Sequence, residues 1–153
     1  MQKKEKTPGT IKHYKIVKAE GGNDIPKKKI TSSAEAVGVI RQFYGDDLEI
    51  YESVFILLLN RANITTGWAK ISQGGISGSV VDIRIVCKYA IDALASGVII
   101  AHNHPSGALM PSDADNKITK SLAAALKVLE IPLHDHVILT TEGYFSFADE
   151  GLI

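Results

Sequence analysis

His102 and His104 stand one residue apart, and beyond the loop Pro105-Ser106-Gly107-Ala108-Leu109-Met110-Pro111 come Ser112 and, three residues later, Asp115. The run Val98-Ile99-Ile100-Ala101 is apolar and bounded by Gly97, so it reads as a buried strand. Residues i and i+2 of a strand point to one face, which sets the two imidazoles side by side. Ser112 opens a long helical pattern, so Asp115 falls in the first turn and its carboxylate can swing back toward the strand end. Two imidazoles and one carboxylate suit Zn²⁺ and leave a fourth tetrahedral position for water, the layout of a catalytic rather than a structural zinc site. Taken alone, Ser112 and Asp115 would be a helix cap, since an acidic residue there also suits the helix dipole. A cap needs no paired histidines beside it, and the metal reading takes precedence.

The spacing His-x-His, seven residues, Ser, two residues, Asp resembles the signature of the JAB/MPN (JAMM) metallopeptidases. The form His102-Asn103-His104-Pro105-Ser106-Gly107 is similar to their bacterial RadC-like branch. The similarity runs from about Tyr51 to the C-terminus, through Leu58-Leu59-Asn60-Arg61-Ala62-Asn63, Gly74 to Ser79 and Gly143 to Gly151. It implies an α/β three-layer domain with a mixed β-sheet, one Zn²⁺ held by His102, His104 and Asp115, and hydrolysis of peptide or isopeptide amide bonds. It also implies a glutamate base at the edge of a strand beside the metal. Glu52, just before the apolar run from Val54, matches that place, and Glu49 is the competitor. Ser112 would then offer a hydrogen bond to the developing oxyanion. Longer RadC-like chains carry an N-terminal helix-hairpin-helix region of the DNA-binding type; none is expected before Tyr51 here. The rival reading is a DNA-repair-associated or nucleic-acid-binding accessory protein. A third, an interaction module with a purely structural metal, gives no reason for an upstream base.

Other motifs carry less. The string His-Asn-His is consecutive here, whereas HNH nucleases disperse their residues over a ββα unit. His134-Asp135-His136 is a second pair whose rings are expected on one side of a strand, in a supporting role, since no acidic or sulfur partner follows at useful spacing. The stretch Gly74 to Gly78 lacks the Gly-Lys-Ser/Thr ending of a phosphate loop and reads as a connection. His13 stands in a basic segment without partners.

The 153 residues, 45% of them hydrophobic, suit one domain with one continuous core. Overall charge is zero, yet residues 1–30 hold nine lysines against Glu5, Glu20 and Asp24, a net of +6 that leaves −6 on residues 31–153. Residues 1–30 are therefore expected to form a solvated basic leader around a weak strand at Tyr14 to Lys18, with a nonspecific tether to nucleic acid as the functional alternative. Cys87 is alone and cannot form an internal disulfide, and no apolar run approaches a membrane span, so a cytoplasmic protein is expected; a peptide or protein substrate is what the resemblance implies.

The elements that must position the site follow from periodicity. Ser32-x-x-Glu35 is a capping box, and Val37, Ile40 and Phe43/Tyr44 continue a helix over residues 31–44. Val54 to Leu59 reads as a strand apolar on both faces, followed by a turn and a second strand around Gly67 to Ser72. Asp82 caps a helix with Ile85, Val86, Tyr89, Ala90 and Ala93 as its buried stripe, closed by Gly97, and Cys87 is expected in its core. A helix from Asp113 to about Leu129 stops before Pro132. Strands near His136 to Thr140 and Tyr144 to Phe147 complete the domain.

Overall fold

A computed structural model of the chain describes residues 25–74 and 80–153. The expected strand at Tyr14 to Lys18 and most of the Gly74 to Gly78 connection lie outside these residues. A mixed sheet of five strands runs in the order β2-β1-β3-β4-β5, from β1 (Ser53–Leu59), β2 (Thr65–Gln73), β3 (Gly97–Asn103), β4 (Leu133–Leu139) and β5 (Tyr144–Ser146). Only β3 and β4 are parallel; the other neighbours are antiparallel. Helix α1 (Ser33–Tyr44) packs on one face, and α2 (Ile83–Asp92) and α3 (Asp113–Val128) on the other. This is the three-layer α/β architecture with a mixed sheet.

The covered sheet explains the apolar strands. Every residue of β1 and β3 is buried. Phe55, Leu57, Ile99 and Ala101 pack toward α1, while Val54, Ile56, Val98 and Ile100 alternate toward α2 and α3. Fully burying a side chain such as Ile56, Ile100 or Leu122 contributes roughly 1.5–3 kcal/mol, and this stack holds β3 rigid where its C-terminal end emerges.

Local signals acted mostly as read. Ser32 accepts from the Glu35 amide, but the Glu35 carboxylate takes Thr31 N and Oγ1 instead of closing the box on Ser32. The folded unit also takes in the last residues of the basic segment, because Ile30 N donates to Asn63 O and Thr65 N to Lys28 O at 2.8 and 2.9 Å.

Three expectations need correction. Helix α2 does not run to Gly97: it ends at Asp92 with Ala93 as its C-cap, and Leu94 takes the left-handed conformation with φ of 52°. Gly97 instead opens β3 where a Cβ would stand 2.3 Å from His134 Nε2, so its value is close approach rather than capping. Within α2 only Val86 and Ala90 are buried, Ile85 and Tyr89 being 41% and 43% exposed. The helix touches the sheet along a stripe narrower than its sequence suggested, and Cys87 is half-buried at its margin. Lastly, His134 and His136 do not share a face. Val98 pairs with Leu133 but Ile99 with Asp135, so His134 is the extra residue of a bulge. Beyond it, Asp135 and Val137 face α1 while His136 turns toward α3.

Candidate metal centre

The strand and helix that carry the site meet at the C-terminal end of β3. His102 and His104 project from that end, with Nε2 atoms 2.9 Å apart. Asp115, on the first turn of α3, brings Oδ1 to 3.1 Å from His102 Nε2 and Oδ2 to 3.6 Å from His104 Nε2. One ligand atom from each side chain lies within 4.8 Å of the other two.

Which nitrogens face inward is set from outside. His104 Nδ1 lies 2.6 Å from Ala108 O, and a carbonyl only accepts, so Nδ1 carries the hydrogen and Nε2 turns a lone pair to the site. His102 likewise has Nδ1 engaged away from the site, 2.8 Å from His136 Nε2. Two ring nitrogens and two carboxylate oxygens thus face one another, an arrangement that needs positive charge between them, either a proton or a metal ion. Two electrostatic effects express that need. The hydrogen bond to Asp115 raises the His104 pKa against the cost of burial, with the Ala108 carbonyl and the Asp115 and Glu52 charges adding to it. Burial opposes the Asp115 charge, yet hydrogen bonds from His102 and His104, the His102 charge and Ser112 hold its carboxyl well below the usual range. The donor set of nitrogen and oxygen without thiolate fits Zn²⁺.

Ser112 and Asp115 form the helix cap that the sequence suggested. The Ser112 hydroxyl accepts from Asp115 N at 3.1 Å and Asp115 Oδ2 accepts from Ser112 N at 2.7 Å, a complete capping box. The same Ser112 hydroxyl donates to Asp115 Oδ2 at 2.7 Å. The cap therefore holds the carboxylate in place, and an oxyanion contact requires that hydroxyl to rotate away from Asp115.

Beside the three candidate ligands a cleft of about 330 Å³ opens, its lining including the polar Glu52, His102, Asp115 and His136 and the apolar Val80, Val81, Ile83 and Ile118. Glu52 thus shares the cleft with two of the three, and its charge reaches His104. Glu49 ends the 3-10 turn Gly45–Glu49, is exposed and does not line the cleft.

Residues 30–152 match the family described as the RadC-like JAB domain. The chain belongs to that family. It is 40% identical over 148 residues to a UPF0758 protein of Flavobacterium johnsoniae, covering 96% of this chain and 64% of the relative. A UPF0758 protein of Porphyromonas gingivalis is 39% identical over 132 residues, 85% of this chain and 57% of its own length. One of Salinibacter ruber is 39% identical over 128 residues, with 83% and 54% covered. The chain thus spans roughly half to two thirds of the length of these relatives.

One feature of this RadC-like JAB domain escaped the sequence reading, and a second was read there only as a supporting role. Asn103, between the histidines, points to the opposite face, where it is fully buried. Its Oδ1 accepts from Ser53 N at 2.8 Å, and its Nδ2 donates to Leu48 O and Tyr51 O at 2.7 and 2.8 Å. With Gly74 N donating to Glu52 O at 2.8 Å and Tyr44 Oη to Ser53 O at 3.1 Å, the backbone that carries Glu52 is clamped on both sides. Strand alternation turns Asn103 away from the histidines' face, and the Ser53 amide it binds lies 50 residues upstream, beyond the reach of local sequence patterns. The second feature is His136, buried behind His102, whose pKa burial and the His102 charge push down to about 3 despite Asp115. Its neighbour Asp135 serves structure: it accepts from Ser146 Oγ at 2.7 Å and Ala148 N at 3.0 Å, tying β5 and the C-terminal turn to β4.

Proposed function

We propose that this RadC-like JAB domain is a zinc-dependent hydrolase of peptide or isopeptide amide bonds. The observation that carries the reading is the convergence of His102, His104 and Asp115 at a cleft that Glu52 also lines. Zn²⁺ held by those three would supply Lewis acidity, polarising an amide carbonyl and bringing the pKa of water toward neutrality. Glu52 takes the proton of the attacking water and returns it to the departing amine. Asn103 fixes the backbone that aims Glu52, and the capping box fixes Asp115. Ser112, once its hydroxyl turns from Asp115, donates to the carbonyl oxygen as negative charge develops there, a contact whose loss costs roughly 10²–10³ in rate at comparable sites. The apolar lining of Val81, Ile83 and Ile118 would receive the side chain next to the scissile bond.

Turnover of a peptide and isopeptide library by the zinc-loaded protein tests this directly. Glu52→Gln keeps shape but not basicity, so it should retain zinc and lose about 10²–10⁴ in rate, whereas Glu49→Gln should behave as wild type. The reverse pattern would move the base to Glu49, and a wild type that cleaves no member of the library would count against hydrolysis.

A second reading, a DNA-repair-associated or nucleic-acid-binding accessory role, rests on one observation, the lysine excess in residues 1–30, of which Lys27, Lys28 and Lys29 are exposed. No helix among the described residues is long and apolar enough to cross a membrane, and the unpaired Cys87 suits the reducing cytoplasm.

A further inference from the structure

Behind His102 lies a closed set of hydrogen bonds that selects its tautomer. Thr119 Oγ1 donates its single hydrogen to Asp115 O at 2.6 Å. The same oxygen lies 2.6 Å from His136 Nδ1, and having no second hydrogen it can only accept there, so His136 Nδ1 carries a proton. His136 is 1% exposed, is stacked on the Phe147 ring at 4.8 Å, and has one neighbour at each ring nitrogen, Thr119 Oγ1 at Nδ1 and His102 Nδ1 at Nε2, so a neutral ring spends its single proton on Nδ1. Its Nε2 is then a bare acceptor 2.8 Å from His102 Nδ1, which must be the donor.

We propose that Thr119 and His136 are positioning residues that hold His102 as the Nδ1–H tautomer and so keep its Nε2 lone pair aimed at the metal site. These bonds begin on the main-chain carbonyl of Asp115 and end on the His102 ring, tying α3 to β3 through β4. The proposal rests on the metal reading of the site for its purpose, though not for its hydrogen-bond assignment. His104 needs no such partner because the Ala108 carbonyl fixes it from its own loop. Partners of this kind typically change metal affinity by about 10–100-fold when removed.

The test uses the full chain labelled with ¹⁵N at histidine, metal-free and zinc-loaded, at a pH where imidazoles are neutral, with zinc affinity measured by chelator competition. In wild type, His102 and His136 should each show a protonated Nδ1, and metal-free His136 an unprotonated Nε2. Thr119→Val matches the side-chain shape but removes the hydroxyl; it should mix the His136 tautomers and weaken zinc binding by about 10-fold or more. Thr119→Ser should restore both. His136→Phe, which can still stack on Phe147, should weaken zinc by a similar factor and release the His102 tautomer. A bare Nδ1 on His102 in wild type, or unchanged tautomers and affinity in Thr119→Val, would overturn the proposal. If the tautomers are as stated and wild type binds no zinc, the metal reading fails while the hydrogen-bond assignment stands.

Discussion

Asp115 is held by its own helix cap, so one residue joins the stability of α3 to the geometry of the site. Removing the Ser112 hydroxyl should cost about 1 kcal/mol as a lost N-cap, a fall in Tm of roughly 2–4 °C for a chain of this size. The same change releases Asp115 Oδ2 from Ser112 Oγ, so Ser112→Ala should also lose zinc to a chelator faster than wild type; unchanged Tm and zinc release would separate the cap from the site. Asp135 offers a test through pH. Burial, helped by the Asp149 charge and opposed by hydrogen bonds from Ser146 and Ala148, raises its pKa. The folded protein then binds that proton more tightly than the unfolded chain, so stability is retained below the ordinary carboxylate range and falls as pH rises through the raised value. Asn cannot titrate. The Tm difference, wild type minus Asp135→Asn, should therefore fall as pH rises from about 4 through the raised value, and a flat difference would contradict the assignment. At this scale His102, His104, Ser112 and Asp115 were legible because strand alternation and the first turn of a helix are local geometry. Glu52 became legible only through family resemblance, since its approach to the histidines depends on the pairing of Val54 with His102.

At the scale of elements, the clamp around Asn103 decides where Glu52 stands. Asn103→Ala leaves Ser53 N, Leu48 O and Tyr51 O without their partner, and each buried group left unsatisfied costs about 1–3 kcal/mol. Thermal denaturation should show a large loss, and the surviving folded fraction should hydrolyse substrate more slowly because the Glu52 segment is no longer fixed. A variant with full stability and full turnover would show that Asn103 positions nothing. The helices and strands themselves were readable from period and caps. The limits of α2 and the face of His134 were not: a left-handed Leu94 and a bulge between Val98 and Ile99 carry no residue-type signal, and both arise from how β3 meets its neighbours. One extra residue in β4 is what sends His136, rather than Asp135, to the back of His102.

The described residues set one apolar layer on each face of the sheet beneath the end where the two histidines emerge, while nine lysines gather in residues 1–30. Deleting residues 1–12 should leave the far-ultraviolet spectrum, Tm and zinc content unchanged and weaken retention on immobilised DNA at low salt. Unfolding on truncation would show that the segment belongs to the core, and unchanged retention would remove the support for a nucleic-acid role. Fold class was legible because strands apolar on both faces require helices on both sides of a sheet. The central claim is that His102, His104 and Asp115 hold one zinc ion. Anomalous diffraction at the zinc absorption edge, from crystals of the full chain grown with zinc, measures that most directly. The account predicts a single strong peak roughly 2.0–2.1 Å from the Nε2 atoms of His102 and His104, beside the Asp115 carboxylate. A map with no peak at that convergence, or with zinc bound only elsewhere, would contradict it.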